Sequence, residues 1–77
     1  MITVQIAEKG VVNVDFIESL TAGEMLQGII DSEMLEIRGG GFLQDTITGR
    51  TIQPSEIVVD GRLYRWNVWV FARAVPR

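Results

Sequence analysis

The stretch "LTAGEMLQGIIDSEML", residues 20–35, decides the fold because it carries a complete set of helix signals. Thr21 is followed three positions later by Glu24, which is the spacing of a capping box, where each side chain bonds the backbone of the other residue. Leu20 and Met25 stand at the positions of a hydrophobic staple. The sequence therefore predicts a helix that begins directly after Thr21.

One side of this predicted helix is apolar. The apolar stripe consists of Leu26, Ile29 and Ile30, with Met25 and Met34 at its edges. A helix with a single apolar stripe must bury it against another element, and a sheet is the natural candidate here. Gly28 lowers helix stability by about 1 kcal/mol relative to alanine. We expect this glycine to allow a close approach of the helix to the sheet.

Two strands are predicted before the helix. Residues 2–6 alternate between apolar and polar, and residues 11–16 alternate again. Such alternation is typical of half-buried strands. The predicted inward face of the second strand is Val12, Val14 and Phe16. A glycine at position 10 suits a tight turn, so the two segments are predicted to pair as an antiparallel hairpin.

The segment after the helix contains "RGGG", residues 38–41. Because these glycines follow a helix and precede a strand, they favour a helix-ending bend over a phosphate loop or a processing site. Turns are predicted at Thr48-Gly49 and at residues 54–56. Asp60-Gly61 between a short apolar strand at residues 57–59 and the next apolar segment predicts a type I′ hairpin turn that leads into a last strand from about residue 62 to residue 73.

This order of elements predicts an α+β fold with a single domain over residues 1–77. We expect a mixed sheet of four to five strands with one helix packed on one face. The helix makes a crossover, so the first and last strands are predicted to lie parallel at the centre, with residues 2–7 paired to residues 66–72. A small all-β barrel with one helix is the alternative.

The same order resembles the β-grasp fold of the ubiquitin-like family. The resemblance rests on "TVQI" and "VVNVDF" in the hairpin, on "TAGEMLQGIIDSE" in the helix, and on "GRTIQPSEIVVDG" before the last strand. It covers most of the chain. It implies a β-grasp domain that engages partners through the open face of its sheet.

The sequence departs from that family at its end. Ubiquitin-like modifiers and sulfur carriers end in two glycines that thread into their enzymes, whereas this sequence ends "FARAVPR". Pro76 would obstruct such threading, and Lys9 is the single lysine available for chain building. Conjugation is therefore disfavoured, and a relative of the modifiers or sulfur carriers that has lost the Gly-Gly tail remains an alternative.

Composition excludes several classes of function. The sequence contains no cysteine and no histidine, so it has no disulfide, no thiolate or imidazole metal ligand and no histidine base. We therefore predict no enzymatic activity, no cofactor and no metal. Apolar runs are too short to span a membrane, and the start lacks the pattern of a signal peptide. The predicted location is the cytoplasm.

Charge is distributed unevenly along the chain. Residues 1–37 hold one lysine against seven acids, a net of −6, and residues 38–77 hold six arginines against three acids, a net of +3. These sum to the total of −3. The expectation from this distribution is that the acidic half pairs with the basic half inside the domain. A basic surface for an acidic partner is the alternative.

The last strand carries the candidate binding surface, because its alternation splits "RLYRWNVWVFAR" into two faces. The predicted outward face consists of Arg65, Asn67, Trp69, Phe71 and Arg73. Trp and Arg are enriched at the hot spots of protein interfaces. The alternative is that a loop containing Phe42 and Leu43 folds over the two aromatic residues and makes them part of the core.

These features predict a non-catalytic module that binds a protein partner through the open sheet face. A self-assembling structural subunit of a viral or bacterial complex is the alternative from a different class. Nucleic acid is disfavoured as a partner, because the chain is acidic overall and nearly lacks lysine. No membrane partner is expected.

Overall fold

A computed structural model gives the architecture. It describes residues 1–6 and 10–72, and for residues 37–40 and 69–72 it describes the backbone without the side chains. The elements in chain order are β1 (Ile2–Ile6), β2 (Gly10–Val14), α1 (Ala22–Glu33), β3 (Leu35–Asp45), β4 (Thr51–Ile52) and β5 (Leu63–Ala72).

The five strands form one mixed sheet in the order β2-β1-β5-β3-β4. β1 and β5 are parallel, and the other three pairings are antiparallel. With α1 packed on one face, this is an α+β fold of the β-grasp type, as predicted. The two terminal strands do lie side by side at the centre.

The parallel register differs from the predicted one. β1 pairs with the start of β5, from Thr3 opposite Leu63 to Ile6 opposite Trp66. The predicted pairing of residues 2–7 with residues 66–72 is therefore wrong. The physical reason is that β5 is twice as long as β1, with 10 residues against 5, and the part beyond Trp66 pairs with β3 on its other side.

The helix begins as predicted. The Thr21 hydroxyl accepts a hydrogen bond from the Glu24 amide at 3.2 Å, and the Glu24 carboxylate accepts one from the Thr21 amide at 3.3 Å. Both halves of the capping box are present. Met25 and Ile29 are buried, so Met25 belongs to the centre of the stripe and not to its edge.

The helix does not end at the glycines. Met34 adopts the left-handed conformation, with φ of 53° and ψ of 47°, and its amide donates to the Ile30 carbonyl. This single residue turns the chain, and β3 starts at Leu35. The predicted bend at residues 38–41 is therefore wrong, because the glycines lie within a strand.

The glycines of β3 permit irregular pairing with β5. The register shifts between Ile37 and Gly39 and again between Gly39 and Phe42. A Cβ atom on Gly41 would lie 1.8 Å from the carbonyl oxygen of Asn67, closer than any real contact. Residue 41 has to be glycine because the two backbones touch there.

Gly28 has the opposite surroundings. A Cβ atom at this position would meet no heavy atom within 4 Å. The expected close approach of the helix to the sheet at Gly28 is therefore wrong, and open space lies beside it.

Two further local predictions are wrong. Residues 57–59 are not a strand, because Ile57 forms a single bridge with Thr21 and the Val58 amide donates to the Leu20 carbonyl. Asp60-Gly61 is a turn into β5 but does not join two paired strands. Phe16 lies beyond the end of β2 and is exposed, since the chain has already left the sheet there.

The core lies between α1 and the sheet. Its buried side chains are Ile2, Val4, Ile6, Leu20, Ala22, Met25, Ile29, Leu35, Leu43, Ile52, Val58, Tyr64 and Trp66. The Tyr64 hydroxyl accepts a hydrogen bond from the Val59 amide at 2.9 Å. Among the described side chains, no buried nitrogen or oxygen atom lacks a hydrogen-bond partner.

Candidate functional site

The face of the sheet opposite α1 is the candidate site, here called the open face. Successive residues of a strand point to opposite sides of the sheet, and Tyr64 and Trp66 are buried under the helix. Arg65 between them is therefore on the open face, where it is exposed. Its register partners are Gln5 in β1 and Gln44 in β3, so these three side chains form one row across the sheet.

Apolar side chains surround this row. Phe42 lies opposite Asn67, and Leu63 lies opposite Thr3. Phe42 is 48% exposed, Leu63 is 39% exposed and Val11 is 62% exposed. The open face thus combines three exposed apolar side chains with one arginine.

The predicted site residues fall into three groups. Arg65 and Asn67 lie on the open face, Arg65 exposed and Asn67 half-buried. Trp69 and Phe71 belong to β5, where their backbones pair with Gly39 and Glu36, and their side chains lie outside the described part. Arg73 lies outside the described residues altogether. Phe42, which sequence reasoning did not include in the site, joins it because β3 lies next to β5.

No covering loop is formed by Phe42 and Leu43. Both residues are in β3, where they pair with Asn67 and Trp66 of β5. Leu43 is buried on the helix side, whereas Phe42 is exposed on the open face. These two residues therefore extend the sheet and do not cap it.

The ion pairs of Asp45, Glu56 and Asp60 do not follow the expected pattern. Arg50 pairs with Glu56 through two nitrogen–oxygen contacts of 2.9 and 2.8 Å. Arg62 pairs with the buried Asp45, and the N-terminal amine pairs with Asp60. All three acids of the basic half are thereby used within that half or by the N-terminus. The expected pairing between the acidic and basic halves is wrong for these residues.

These pairs shift the carboxyl pKa values downward. Burial raises the pKa of Asp45, but hydrogen bonds from the Ile47 amide, the Arg62 side chain and the Thr48 amide outweigh it, and the pKa lies below its ordinary value. The Arg50 hydrogen bonds lower the pKa of Glu56. The N-terminal amine similarly lowers the pKa of Asp60.

Arg65 is in a different situation from Arg50 and Arg62. It makes no hydrogen bond or ion pair with any described side chain. A small polar hollow of about 200 Å³ lies beside it. The hollow is lined by Gln44, Asp45, Thr46, Gly49 and Arg65.

A second surface was missed by sequence reasoning. A groove of about 350 Å³ runs between α1 and β2. Its apolar lining includes Val12, Val14, Ile17, Leu20, Met25 and Ile29, and its polar lining is Asn13, Asp15, Glu24 and Ser32. Gly28 also lines it and leaves it open. The sequence feature that could have indicated this groove is the position of Gly28. This glycine lies one helical turn from both Glu24 and Ser32 and next to the apolar stripe.

Two further findings concern function classes. Within residues 1–6 and 10–72, no group of three or more His, Cys, Asp or Glu side chains is arranged to hold a metal ion. The described helix, α1, falls short of the length and apolar character needed to cross a membrane.

Comparison with protein-family models, with curated proteins and with solved structures finds no match to this chain.

Proposed function

We propose that this protein is a non-catalytic interaction module that binds a protein partner through the open face. The observation that carries the proposal is the exposed combination of Phe42, Leu63 and Val11 with Arg65 on a face that no described element covers. We propose further that Trp69 and Phe71, which the alternating sequence of the last strand predicts on the outward face, belong to the same surface.

Physical chemistry favours binding over simple exposure. Scattered apolar side chains are normal on a protein surface, but several exposed on the same face of a sheet, beside an arginine, are typical of an interaction site. An arginine beside aromatic and aliphatic side chains adds a group that pairs with charge and stacks on planar groups. The absence of histidine and cysteine from the whole sequence supports a function without catalysis.

Two finer assignments belong to the same proposal. We infer membership of the ubiquitin-like branch of β-grasp proteins from the hairpin and helix motifs, together with the strand order. We infer a cytoplasmic location, supported by a sequence without cysteine, since disulfides are a common feature of small exported domains.

The test compares matched variants in affinity capture from cells of the native host. Phe42→Ser and Leu63→Thr alter the open face, whereas Ile47→Ser and Val59→Thr alter exposed apolar residues elsewhere. We expect the first pair to lose the captured partner and the second pair to retain it, with quantitative mass spectrometry as the readout. Trp69→Ala with Phe71→Ala tests the extension along β5.

Three outcomes contradict the proposal. One is loss of the partner with the control variants alone. Another is a partner retained by every open-face variant, including Trp69→Ala with Phe71→Ala. The third is sedimentation of the pure protein as a defined oligomer that Phe42→Ser dissociates, which would make the open face a self-assembly surface.

A further inference from the structure

Arg65 has no acidic partner among the described side chains, and its register partners Gln5 and Gln44 are neutral. The other two arginines with described side chains each have an acid, Arg50 with Glu56 and Arg62 with Asp45. An exposed guanidinium carries five donors and is always charged, so it readily pairs with a carboxylate.

The row across the sheet adds neutral donors on both sides of Arg65. Gln5 lies opposite it in β1 and Gln44 opposite it in β3. The side-chain amide of Gln44 donates to the Gly49 carbonyl at 3.0 Å, which leaves one of its two N–H groups available. Between Thr3 and Asn67, the register rows of the open face contain no acidic residue.

The hollow beside Arg65 has the size and polarity for one small anionic group. Its volume is about 200 Å³. Asp45 contributes to the lining, but its carboxylate already accepts from the Ile47 and Thr48 amides and from Arg62. The Thr46 hydroxyl donates to the Leu63 carbonyl at 2.8 Å. Because three donors already engage the Asp45 carboxylate, Arg65 is the charged group of the lining that has no described partner.

We propose that Arg65 and this hollow receive the carboxylate of an aspartate or glutamate from the partner protein, with apolar partner residues packing on Leu63 and Phe42 beside it. The inference rests on the proposed function of the open face and names the chemistry that the face recognises. Charge complementarity selects this occupant over a neutral or basic one.

The experiment is a peptide-display selection against four versions of the full chain. Wild type is expected to enrich peptides with one Asp or Glu among apolar residues, and Arg65→Glu is expected to enrich Lys or Arg at that position. Arg65→Gln removes the charge without reversing it, so the acidic preference is expected to disappear. Arg50→Gln makes the same change at an arginine that already has a partner and is expected to select as wild type does.

Affinity measurements then quantify the selected acidic peptide. Its dissociation constant is expected to rise about tenfold or more for Arg65→Gln, because charge-assisted hydrogen bonds are the strong ones. The Glu-to-Gln version of the peptide is expected to lose a similar factor on wild type and to lose nothing further on Arg65→Gln. Such mutual dependence is the signature of direct pairing.

The outcomes separate this inference from the proposed function. Peptides that require Phe42 but show no acidic preference, or that bind Arg65→Glu equally, overturn the carboxylate assignment and leave the interaction surface standing. Peptides that bind every open-face variant, Phe42→Ser included, overturn both. A phosphoserine version that binds more than tenfold tighter than the Glu peptide replaces the carboxylate with a phosphate.

Discussion

At Gly41 the backbone of β3 lies directly against the backbone of β5, so there is no space for a Cβ atom. The carbonyl oxygen of Asn67 would be 1.8 Å from a Cβ atom, and the Cα atom of Val68 would be 2.8 Å away. Both are backbone atoms, so relief requires the two strands to separate. Gly41 therefore fixes the irregular register that brings Phe42 opposite Asn67 on the open face.

We predict that Gly41→Ala lowers the free energy of unfolding by about 3 kcal/mol or more, at the upper end of overpacking costs. Urea unfolding followed by tryptophan fluorescence measures it. Gly28→Ala is the matched control, because the same change there meets open space. Equal stability of Gly41→Ala and the parent chain would contradict the backbone contact.

Asp45 is one of three described carboxylates whose lowered pKa values make stability depend on pH. Its folded pKa lies below the ordinary value of 3.8, so the unfolded state takes up a proton first as the pH falls. The contribution of Asp45 is thus complete above the unfolded pKa and is lost as the pH falls through the folded pKa. Glu56 and Asp60 have lowered pKa values as well and act in the same direction.

We predict that the parent chain loses stability steadily as the pH falls below about 4, and that Asp45→Asn is less stable at neutral pH but has a shallower acid slope. Urea midpoints from pH 6 to pH 2 give both quantities. A slope for Asp45→Asn identical to that of the parent would show that Asp45 does not carry this dependence.

At the scale of elements, α1 has a capped N-terminus and an interior that a glycine destabilises. The capping box and the left-handed Met34 define its two ends. Gly28 in its interior has no packing role with the described atoms and keeps the groove along β2 open. The helix therefore bears the propensity cost of a glycine without a compensating contact.

We predict that Gly28→Ala raises the free energy of unfolding by up to about 1 kcal/mol. Gly23→Ala in the same helix is the control, because its Cβ atom would lie 3.2 Å from the Pro54 carbonyl oxygen and crowd it. The expected order of thermal midpoints is Gly28→Ala above the parent chain, with Gly23→Ala gaining less or losing. A loss of stability for Gly28→Ala would mean that the helix tolerates no side chain there.

The elements that sequence reasoning predicted correctly are those whose signals are local. The capping box of Thr21 and Glu24 acts within one turn, and the alternation of residues 2–6 needs no distant partner. The wrong predictions concern segments in which tertiary contacts override the local sequence signals. Residues 38–41 were predicted as a bend, but they belong to a strand that pairs with β5. Residues 57–59 were predicted as a hairpin strand, but their backbone bonds to the residues that precede the helix.

The candidate site follows the same division. Alternation around Arg65 predicted its outward position correctly, because the period of a strand is a local property. The position of Phe42 on the open face was not predicted, because it depends on the bulged register that Gly41 permits. That no described acid pairs with Arg65 could not be predicted either, because ion pairing is decided by which side chains the whole fold brings together.

At the scale of the molecule, charge separates by side. The exposed acids of the first half with described surroundings lie on β2–α1 connections and on α1, namely Asp15, Glu18, Glu24, Asp31 and Glu33. None of these five pairs with a described arginine. Arg65 stands on the opposite side of the sheet. Among the described side chains, negative charge is therefore concentrated on α1 and the connection before it, whereas Arg65 places positive charge on the open face.

The two halves of β5 differ in the number of strands that pair with them, and amide hydrogen exchange measures the effect of this difference on local opening. Tyr64 to Trp66 of β5 lie between β1 and β3, whereas residues 67–72 pair with β3 alone among the described strands. Amides held between two strands open only with the whole domain, while a strand with one free edge opens locally.

We predict slow exchange for β1 and for Tyr64 to Trp66, with protection falling by at least tenfold for those β5 amides beyond Asn67 that bond to β3. Exchange by NMR at pH 6 resolves each amide, and β4 provides an internal reference for an edge strand. Uniform protection along all ten residues of β5 would contradict this prediction and would mean that its far half does not open locally in solution.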